Sequence, residues 1–454
     1  MSTSAGGLVR IPKGLDSALG SALSILSGTE GTIRIVTHYD ADGLCAAGVL
    51  CRALLRSGRP FHVRITRKFG PALFSSLAAE KYNLTIFLDS GSEQIDKVEG
   101  LSGNAVVLDH HQPGRGSKHV LDVNPHHHGI DGAAELSAST LTYLLTRRMD
   151  HCNINLFPYA LAGAIGDKQD LGGLKGLNRE LAAEAEKAGV IEGVRIPRFA
   201  DGVLSEALAE SISPYIPGLT GRPEAVGSFL SDLMIVGEGS FISLTPEKRR
   251  ILLSFLSLRL LERGTAPENI AELNPLRYRA PALDLYIDHL SGMVNACGRL
   301  GDEGTGLAVC LGDPSALEKA KELRARYRDK VREGLRKLED GAVTKGRGMQ
   351  FFWGEEPTIT GAVCGLGIQY VVDSSLPVMG LTPEGEEVSV SARGTRALVS
   401  KGLNLASVCK EAAEVAGGSG GGHDVAAGAN VPRDRIEEFL TNADEIAAKQ
   451  LGRA

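Results

Sequence analysis

Apolar positions change their period along the chain, and the changes mark its elements. Up to about residue 180, short apolar runs alternate with helical stripes, as in a parallel α/β sheet. Thr32–Thr37, Leu84–Leu88 and Ala105–Leu108 read as buried strands, and Gly43–Ser57 as the helix after the first of them. Leu161–Ile165 fits a helix or a strand. From Asn178 to Leu290 the pattern is helical, and Thr245-Pro246-Glu247 ahead of an apolar run closing at Gly264 gives an N-cap, an N1 proline and a C-terminal glycine. Leu317, Ala320, Leu323, Tyr327, Val331, Leu335 and Leu338 recur every three or four residues, which predicts one long amphipathic helix. Its other faces carry nine Lys/Arg against four Asp/Glu, suiting a solvated surface or, alternatively, a strand-facing or interdomain basic helix. Farther on, Ile359–Cys364, Val371–Val372, Pro377–Leu381 and Val388–Ala392 read as strands. A helix over Leu405–Ala416, the run GGSGGGHD as a loop, an AAGANV strand and a closing helix from Pro432 complete the pattern.

The fold class is therefore α/β. An N-terminal parallel-sheet domain (1–180) is joined by a helical segment with a long basic helix (181–345) to a smaller C-terminal α/β domain (346–454). A length of 454 residues agrees, being too great for one ordinary core. With 43% hydrophobic and 23% charged residues, no apolar run long enough for a bilayer and no basic, apolar leader in MSTSAGGLVRIPKGLDSALGSALSIL, a cytoplasmic protein without a membrane partner is expected. The seven cysteines are scattered and contain no C-x-x-C pair, so they read as buried thiols in a reducing compartment. A net charge of −6 does not announce a nucleic-acid binder, although a groove needs only local positive charge.

The chemistry lies where short apolar elements end. His38-Tyr39-Asp40-Ala41-Asp42-Gly43 follows the first strand, Asp89-Ser90-Gly91 the second and Asp109-His110-His111 the third; Gly166-Asp167-Lys168-Gln169-Asp170 follows Leu161–Ile165. In an open parallel sheet the carboxyl ends of strands converge on one edge, where ligands bind. One Asp there is an ordinary helix cap, but four acidic sites with three histidines repel one another unless a cation neutralises them. Oxygen ligands mixed with imidazole suit Mn²⁺ or Mg²⁺ better than Zn²⁺, and the number of ligands fits two ions sharing an Asp, the arrangement of phosphoryl-transfer hydrolases.

HYDADG, LDSG, DHH and GDKQD, in this order, resemble the four motifs of the DHH phosphoesterase superfamily. The resemblance implies that His38, Asp40 and Asp89 hold one ion, and that Asp42, Asp89, His110 and Asp167 hold the other, with Asp89 as the bridge. It places His111 at the scissile phosphate as the candidate proton donor and Asp109 behind a histidine, orienting it. RecJ relatives often have Asp where this chain has His38. Asn295-Ala296-Cys297-Gly298-Arg299 resembles the NAxGR segment of RecJ-like proteins, and Ser391-Ala392-Arg393 with Gly420-Gly421-Gly422-His423 resembles the DHH-associated C-terminal domain. Arg299, Arg393, Gly421, Gly422 and His423 are thereby implied in substrate binding, as planar guanidinium forks, glycine N–H groups and an imidazole suit phosphate. His126-His127-His128, after Asn124-Pro125, reads as an exposed loop.

The activity implied is that of an archaeal RecJ-like exonuclease acting on single-stranded DNA or RNA with two Mn²⁺ ions, in DNA repair or replication. A small-substrate phosphodiesterase or phosphatase acting on oligoribonucleotides, pAp or cyclic dinucleotides is the nearest alternative. A replisome component bound to the GINS complex is another.

Overall fold

The computed structural model describes residues 9–453; Met1–Leu8, part of the stretch read for a leader, lie outside the described residues. The chain divides into two compact units, one formed by residues up to Arg195 with Leu276–Ala325, the other by Ile196–Pro275 with residues from Arg326 on. Among the described residues no helix is long and apolar enough to cross a membrane.

In the first unit α1 (Lys13–Gly28) leads into β1 (Ile33–His38), α2 (Ala41–Arg56), β2 (Phe61–Thr66), α3 (Pro71–Ala78), β3 (Leu84–Leu88), α4 (Ile95–Glu99), β4 (Asn104–Leu108) and β5 (Leu121–Val123). The five strands are all parallel, in the order β2-β1-β3-β4-β5. All five residues of β3 are buried, as befits a strand covered on both faces. From β1 the chain steps outward to β2, then crosses back to β3 on the other side of β1, so the strand order reverses between β1 and β3. That switch point opens a crevice at the carboxyl ends of two strands that carry acidic clusters.

Next come α5 (Ala138–Met149), α6 (Phe157–Gly166) and α7 (Gly176–Lys187). Leu161–Ile165 is helical, within α6. The helical reading of Asn178–Leu290 needs correction, because β6 (Glu192–Arg195), β7 (Leu276–Ala280) and β8 (Leu285–Tyr286) form a three-stranded antiparallel sheet. Strands of two to five residues are too short to show their own period. Helices α8 (Leu204–Ala209), α9 (Pro223–Asp232), α10 (Pro246–Glu262) and α11 (Pro267–Ala271) lie between β6 and β7 in the sequence. Thr245 caps α10 as expected, accepting from the Lys248 N–H, and Gly264 after it is left-handed at φ +74°. The first unit closes with α12 (Ile287–Arg299), α13 (Glu303–Leu311) and the start of α14 (Pro314–Glu339).

The second unit contains the end of α14, β9 (Thr344–Lys345), β10 (Gln350–Trp353), α15 (Pro357–Tyr370), β11 (Val378–Glu384), β12 (Glu387–Arg393), α16 (Arg396–Ser400), α17 (Leu405–Val415), β13 (Ser419–Gly422), β14 (Ala426–Pro432) and α18 (Ile436–Gln450). Its sheet is mixed and runs β13-β14-β12-β11-β10-β9. Ile359–Cys364 is helix rather than strand, and Val371–Val372 lies just past the helix end rather than in a strand. The β-branched residues there suggested a strand, but Ile359, Val363, Gly367 and Ile368 are buried at helical spacing behind Pro357 in the first turn. One face of the sheet, with Val388, Val390, Ala392, Ala427, Ala429 and Val431, joins α17 and α18 in a core. On the other face α15 packs over β11 and β12. Six of the seven cysteines are buried and Cys152 is exposed; all are free thiols.

Candidate metal centre and substrate-binding residues

Seven donors converge at the switch point. Asp40 caps α2 right after β1, accepting from the Gly43 N–H at 3.3 Å, and Asp42 lies in the first turn of that helix. Asp89 follows β3 in a left-handed conformation (φ +58°), its N–H donating to the Leu108 carbonyl at 3.0 Å. Asp109, His110 and His111 follow β4, and Asp167 is the C-cap of α6. His38 Nδ1 is 2.8 Å from Asp40 Oδ2 and 3.5 Å from Asp89 Oδ2. His110 Nε2 is 3.3 Å from Asp89 Oδ1, 3.1 Å from Asp167 Oδ2 and 3.8 Å from Asp42 Oδ2. The donors form the sets His38–Asp40–Asp89, Asp42–Asp89–His110–Asp167 and Asp89–His110–His111, with ligand atoms in each set within 4.8 Å of one another. Asp89 belongs to all three.

These residues fit divalent cations. Asp89 Oδ1 and His110 Nε2 are buried, face each other and make no hydrogen bond. Leaving two such atoms unpaired is costly, and a cation between them would remove the cost. The His110 Nδ1 contact with the Gly132 carbonyl at 2.7 Å fixes the ring and leaves Nε2 as the ligand atom. Burial, then the nearby Asp89 charge, pushes the Asp42 carboxyl up to about 6. Burial also raises Asp89 and Asp167, each beside another carboxylate. Burial alone would depress the two imidazoles, but the carboxylates outweigh it, taking His38 to about 11 and His110 well above its usual value. Protons thus occupy the place of positive charge in this cluster.

The residues behind the donors went unread in the sequence. The N-terminus of α5 wraps the Asp42 carboxylate: Oδ1 accepts from Ser137 Oγ at 2.9 Å, from the Ser139 N–H at 3.1 Å and from Ser139 Oγ, and Oδ2 from the Ala138 N–H at 2.7 Å. Gly163 in α6 makes room, since a Cβ there would lie 2.2 Å from Ser139 Oγ and 2.5 Å from Asp42 Oδ1. The capping pattern Ser137-x-x-Thr140 was a usable signal for the helix start, but not for its cargo.

His111 is half exposed, and its Nδ1 lies 2.8 Å from Oδ1 of the buried Asp109. Burial opposes the His111 charge, but the bond to Asp109 prevails and lifts it to about 9; against burial, the same bond holds Asp109 down at about 2. The histidine triplet is a 3₁₀ turn, not a loop: Asn124 caps it and His127 Nε2 meets Asp122 Oδ2 at 2.8 Å.

Arg299 stands beside the metal donors, in the same unit. Its Nη1 donates to Tyr39 Oη at 2.8 Å and its guanidinium lies 5.3 Å from that ring. Gly298 permits this, because a Cβ there would lie 2.0 Å from the Tyr39 carbonyl. Arg67, unread in the sequence, lies 4.6 Å from the same ring. In the second unit, Arg393 pairs in register with Ala426, whose carbonyl accepts from the His423 N–H at 2.8 Å. Arg393 and His423, thirty residues apart, therefore flank one position at one end of the sheet. Gly421 and Gly422 belong to strand β13 rather than to a loop. A Cβ on Gly421 would meet nothing within 4 Å, whereas Gly422 (φ +137°) has no room for one.

Residues 32–165 match the family model described as the DHH family, N-terminal domain, and residues 360–449 the DHHA1 domain. An uncharacterized protein of Methanocaldococcus jannaschii is 32% identical over 432 residues, covering 93% of this chain and 95% of the relative. RecJ from Thermus thermophilus, in complex with Mn²⁺, shares the fold at a TM-score of 0.60 and 18% identity; the match covers 97% of this chain and 55% of RecJ, so this chain spans about half that protein. CDC45 from Entamoeba histolytica gives a TM-score of 0.66 at 10% identity, over 96% of this chain and 98% of CDC45.

Proposed function

The chain belongs to the DHH family, and on that premise we propose that it is a divalent-metal-dependent phosphodiesterase, a RecJ-like exonuclease that releases terminal nucleotides from single-stranded DNA or RNA. The observation that carries this reading is the sharing of Asp89 between the donor sets His38–Asp40–Asp89 and Asp42–Asp89–His110–Asp167. These residues would hold two ions, Mn²⁺ before Mg²⁺ because imidazole is among the ligands. When bound, such a pair supplies Lewis-acid activation of water and phosphoryl group.

The chain's own groups do the rest. Asp109 fixes the His111 ring through Nδ1, so that Nε2 is presented. With its pKa at about 9, His111 carries a proton at neutral pH. As the water oxygen bonds to phosphorus and gives up a proton to solvent, the P–O bond to the leaving nucleotide breaks and His111 delivers its own proton to the leaving oxygen. Arg299 and Arg67 beside Tyr39, and Arg393, His423, Gly421 and Gly422 in the second unit, bind phosphates of the strand.

The test is to incubate end-labelled single- and double-stranded DNA and RNA with Mn²⁺ and resolve products over time. Release of terminal nucleotides from single strands, abolished by chelator, is expected. Unchanged hydrolysis in excess chelator, or no hydrolysis of any strand, overturns the reading. A small-substrate phosphodiesterase would cleave dinucleotides and spare long strands, and a purely GINS-bound replisome component would capture GINS and release no nucleotide.

A further inference from the structure

On the α15 side of the C-terminal sheet, side chains come in rows set by the register. Arg393 and Ala426 form one row, Ser391, Gly428 and Gly421 the next, and Ser389, Asn430 and Ser419 the third. Helix α15 covers β11 into the third row, where Thr360 Oγ1 lies 2.8 Å from Oγ1 of Thr382, the register partner of Ser389, and over β12 a Cβ on Gly361 would come 3.3 Å from Ser391 Oγ. Beyond it β14 and β13 enclose a shallow concavity of about 400 Å³, lined by Ser389, Ser419, Gly420, Gly428 and Asn430 among others. Its floor is glycine backbone, which lets a flat group approach closely. None of its lining residues is charged. The Ser389 and Ser419 hydroxyls and the exposed Asn430 amide make no hydrogen bond to any described residue.

We infer that this concavity is a nucleobase subsite, which takes an internal base of the substrate strand beyond the nucleotide held by Arg393 and His423. The occupant follows from the chemistry. With no cation in its lining the concavity offers a phosphate no charge to pair with, whereas an amide and two hydroxyls above bare backbone match the donor and acceptor edge of an unstacked base. The subsite is continuous with the Arg393 row: Ala426 to Asn430 is four residues of strand, about 13 Å, so the concavity lies along the path of a strand gripped at its end. The inference rests on the proposed function, and it adds a length dependence that the metal centre alone does not give.

The experiment uses the full-length chain and Mn²⁺ with di-, tri- and tetranucleotides, comparing wild type with Asn430→Ala and with Ser389→Phe, which fills the concavity. In parallel, oligonucleotides carrying a photoreactive base at each position in turn are cross-linked and the adducts mapped. The expected result is a loss of kcat/KM that grows with length, reaching about ten-fold at the tetranucleotide, with cross-links to 419–430 from one internal base only and absent in Ser389→Phe. If wild type cleaves the series and both variants match it at every length, the subsite is wrong and the proposed function stands. If the cross-links fall elsewhere while the strand is cleaved, the subsite is likewise wrong. If wild type neither binds nor cleaves any oligonucleotide, the proposed function fails and the subsite with it; capture of a protein instead would give this face to a partner.

Discussion

Asp89 combines three demands in one side chain. It is almost fully buried, it joins every donor set, and its backbone is left-handed, a conformation L residues keep only where the surroundings over-determine it. Asn tolerates that backbone as well as Asp does, so Asp89→Asn removes the charge and spares the turn. The variant is expected to keep a wild-type circular dichroism spectrum in the absence of metal, to lose the rise in Tm on adding Mn²⁺, and to lose turnover by a factor on the order of 10³. Near-normal kcat would make Asp89 a structural residue. The protons in the cluster give a second expectation. In the metal-free protein, His38 at about 11 contributes stability in full below its unfolded value of 6.5, and that contribution declines as pH rises toward 11. Asp42, raised to about 6, is harder to ionise in the fold, so its stability contribution falls between 3.8 and 6 and stays low above. Both slopes lower metal-free stability toward alkaline pH, and bound cations must displace these protons. The increase in Tm on adding Mn²⁺ should therefore grow from about pH 6 to about pH 8.5, read by scanning fluorimetry. A flat or falling increment would mean that the ions do not compete for this cluster.

Helix ends and close packing turn these side chains into a site. Ser139→Ala removes one of the hydroxyls holding Asp42 while leaving the α5 backbone donors in place, so Mn²⁺ affinity should drop about 10- to 100-fold by calorimetric titration, with the fold intact. Gly298→Ala should act through packing instead. Its Cβ has no room against the Tyr39 carbonyl, so α12 must shift, at about 1–3 kcal/mol by urea unfolding, and Arg299 loses its place beside Tyr39. Such effects separate what could be read in the sequence from what could not. β1, β3 and β4 were legible because they are short apolar runs, and Asp89 and Asp109 because they follow those runs directly, with Asp40 two residues past the first. Asp167 was legible by motif alone, as it ends a helix whose type the pattern left open. Ser137, Ser139 and Gly132 act on residues about twenty to a hundred positions away, and no local pattern encodes that reach. α15, rich in β-branched residues yet helical, shows local composition losing to tertiary packing, whereas β2 alternates apolar and polar residues as a strand should and carried a signal that longer apolar runs overshadowed.

The site residues divide between the two units of the chain. The carboxylate–imidazole donors, with Tyr39, Arg67 and Arg299, lie in the first unit, and Arg393, His423 and the glycine strand in the second. If the first holds the ions and the second holds the strand, the two functions should separate on mutation. Arg393→Ala and His423→Ala are expected to bind Mn²⁺ like wild type, with the same rise in Tm, because neither side chain belongs to a donor set. Each removes one charge-assisted or polar phosphate contact, which contributes roughly 1.5–3 kcal/mol, so kcat/KM on short oligonucleotides should fall about ten- to hundred-fold. On long single strands the loss should be smaller, because phosphates elsewhere along the bound strand compensate for one lost contact. Arg299→Ala tests the boundary between the two roles, since this arginine touches Tyr39 within the metal-bearing unit and, against burial and after His38, helps hold the Asp40 carboxyl below its usual value. It should lower kcat as well as raise KM, whereas His423→Ala should act mainly on KM. Steady-state kinetics on a length series, with Mn²⁺ titrations of the same preparations, decides the matter. Equal losses at every length together with weakened Mn²⁺ binding would place Arg393 and His423 in the catalytic centre, and no loss at any length would leave the glycine strand without a part in substrate capture.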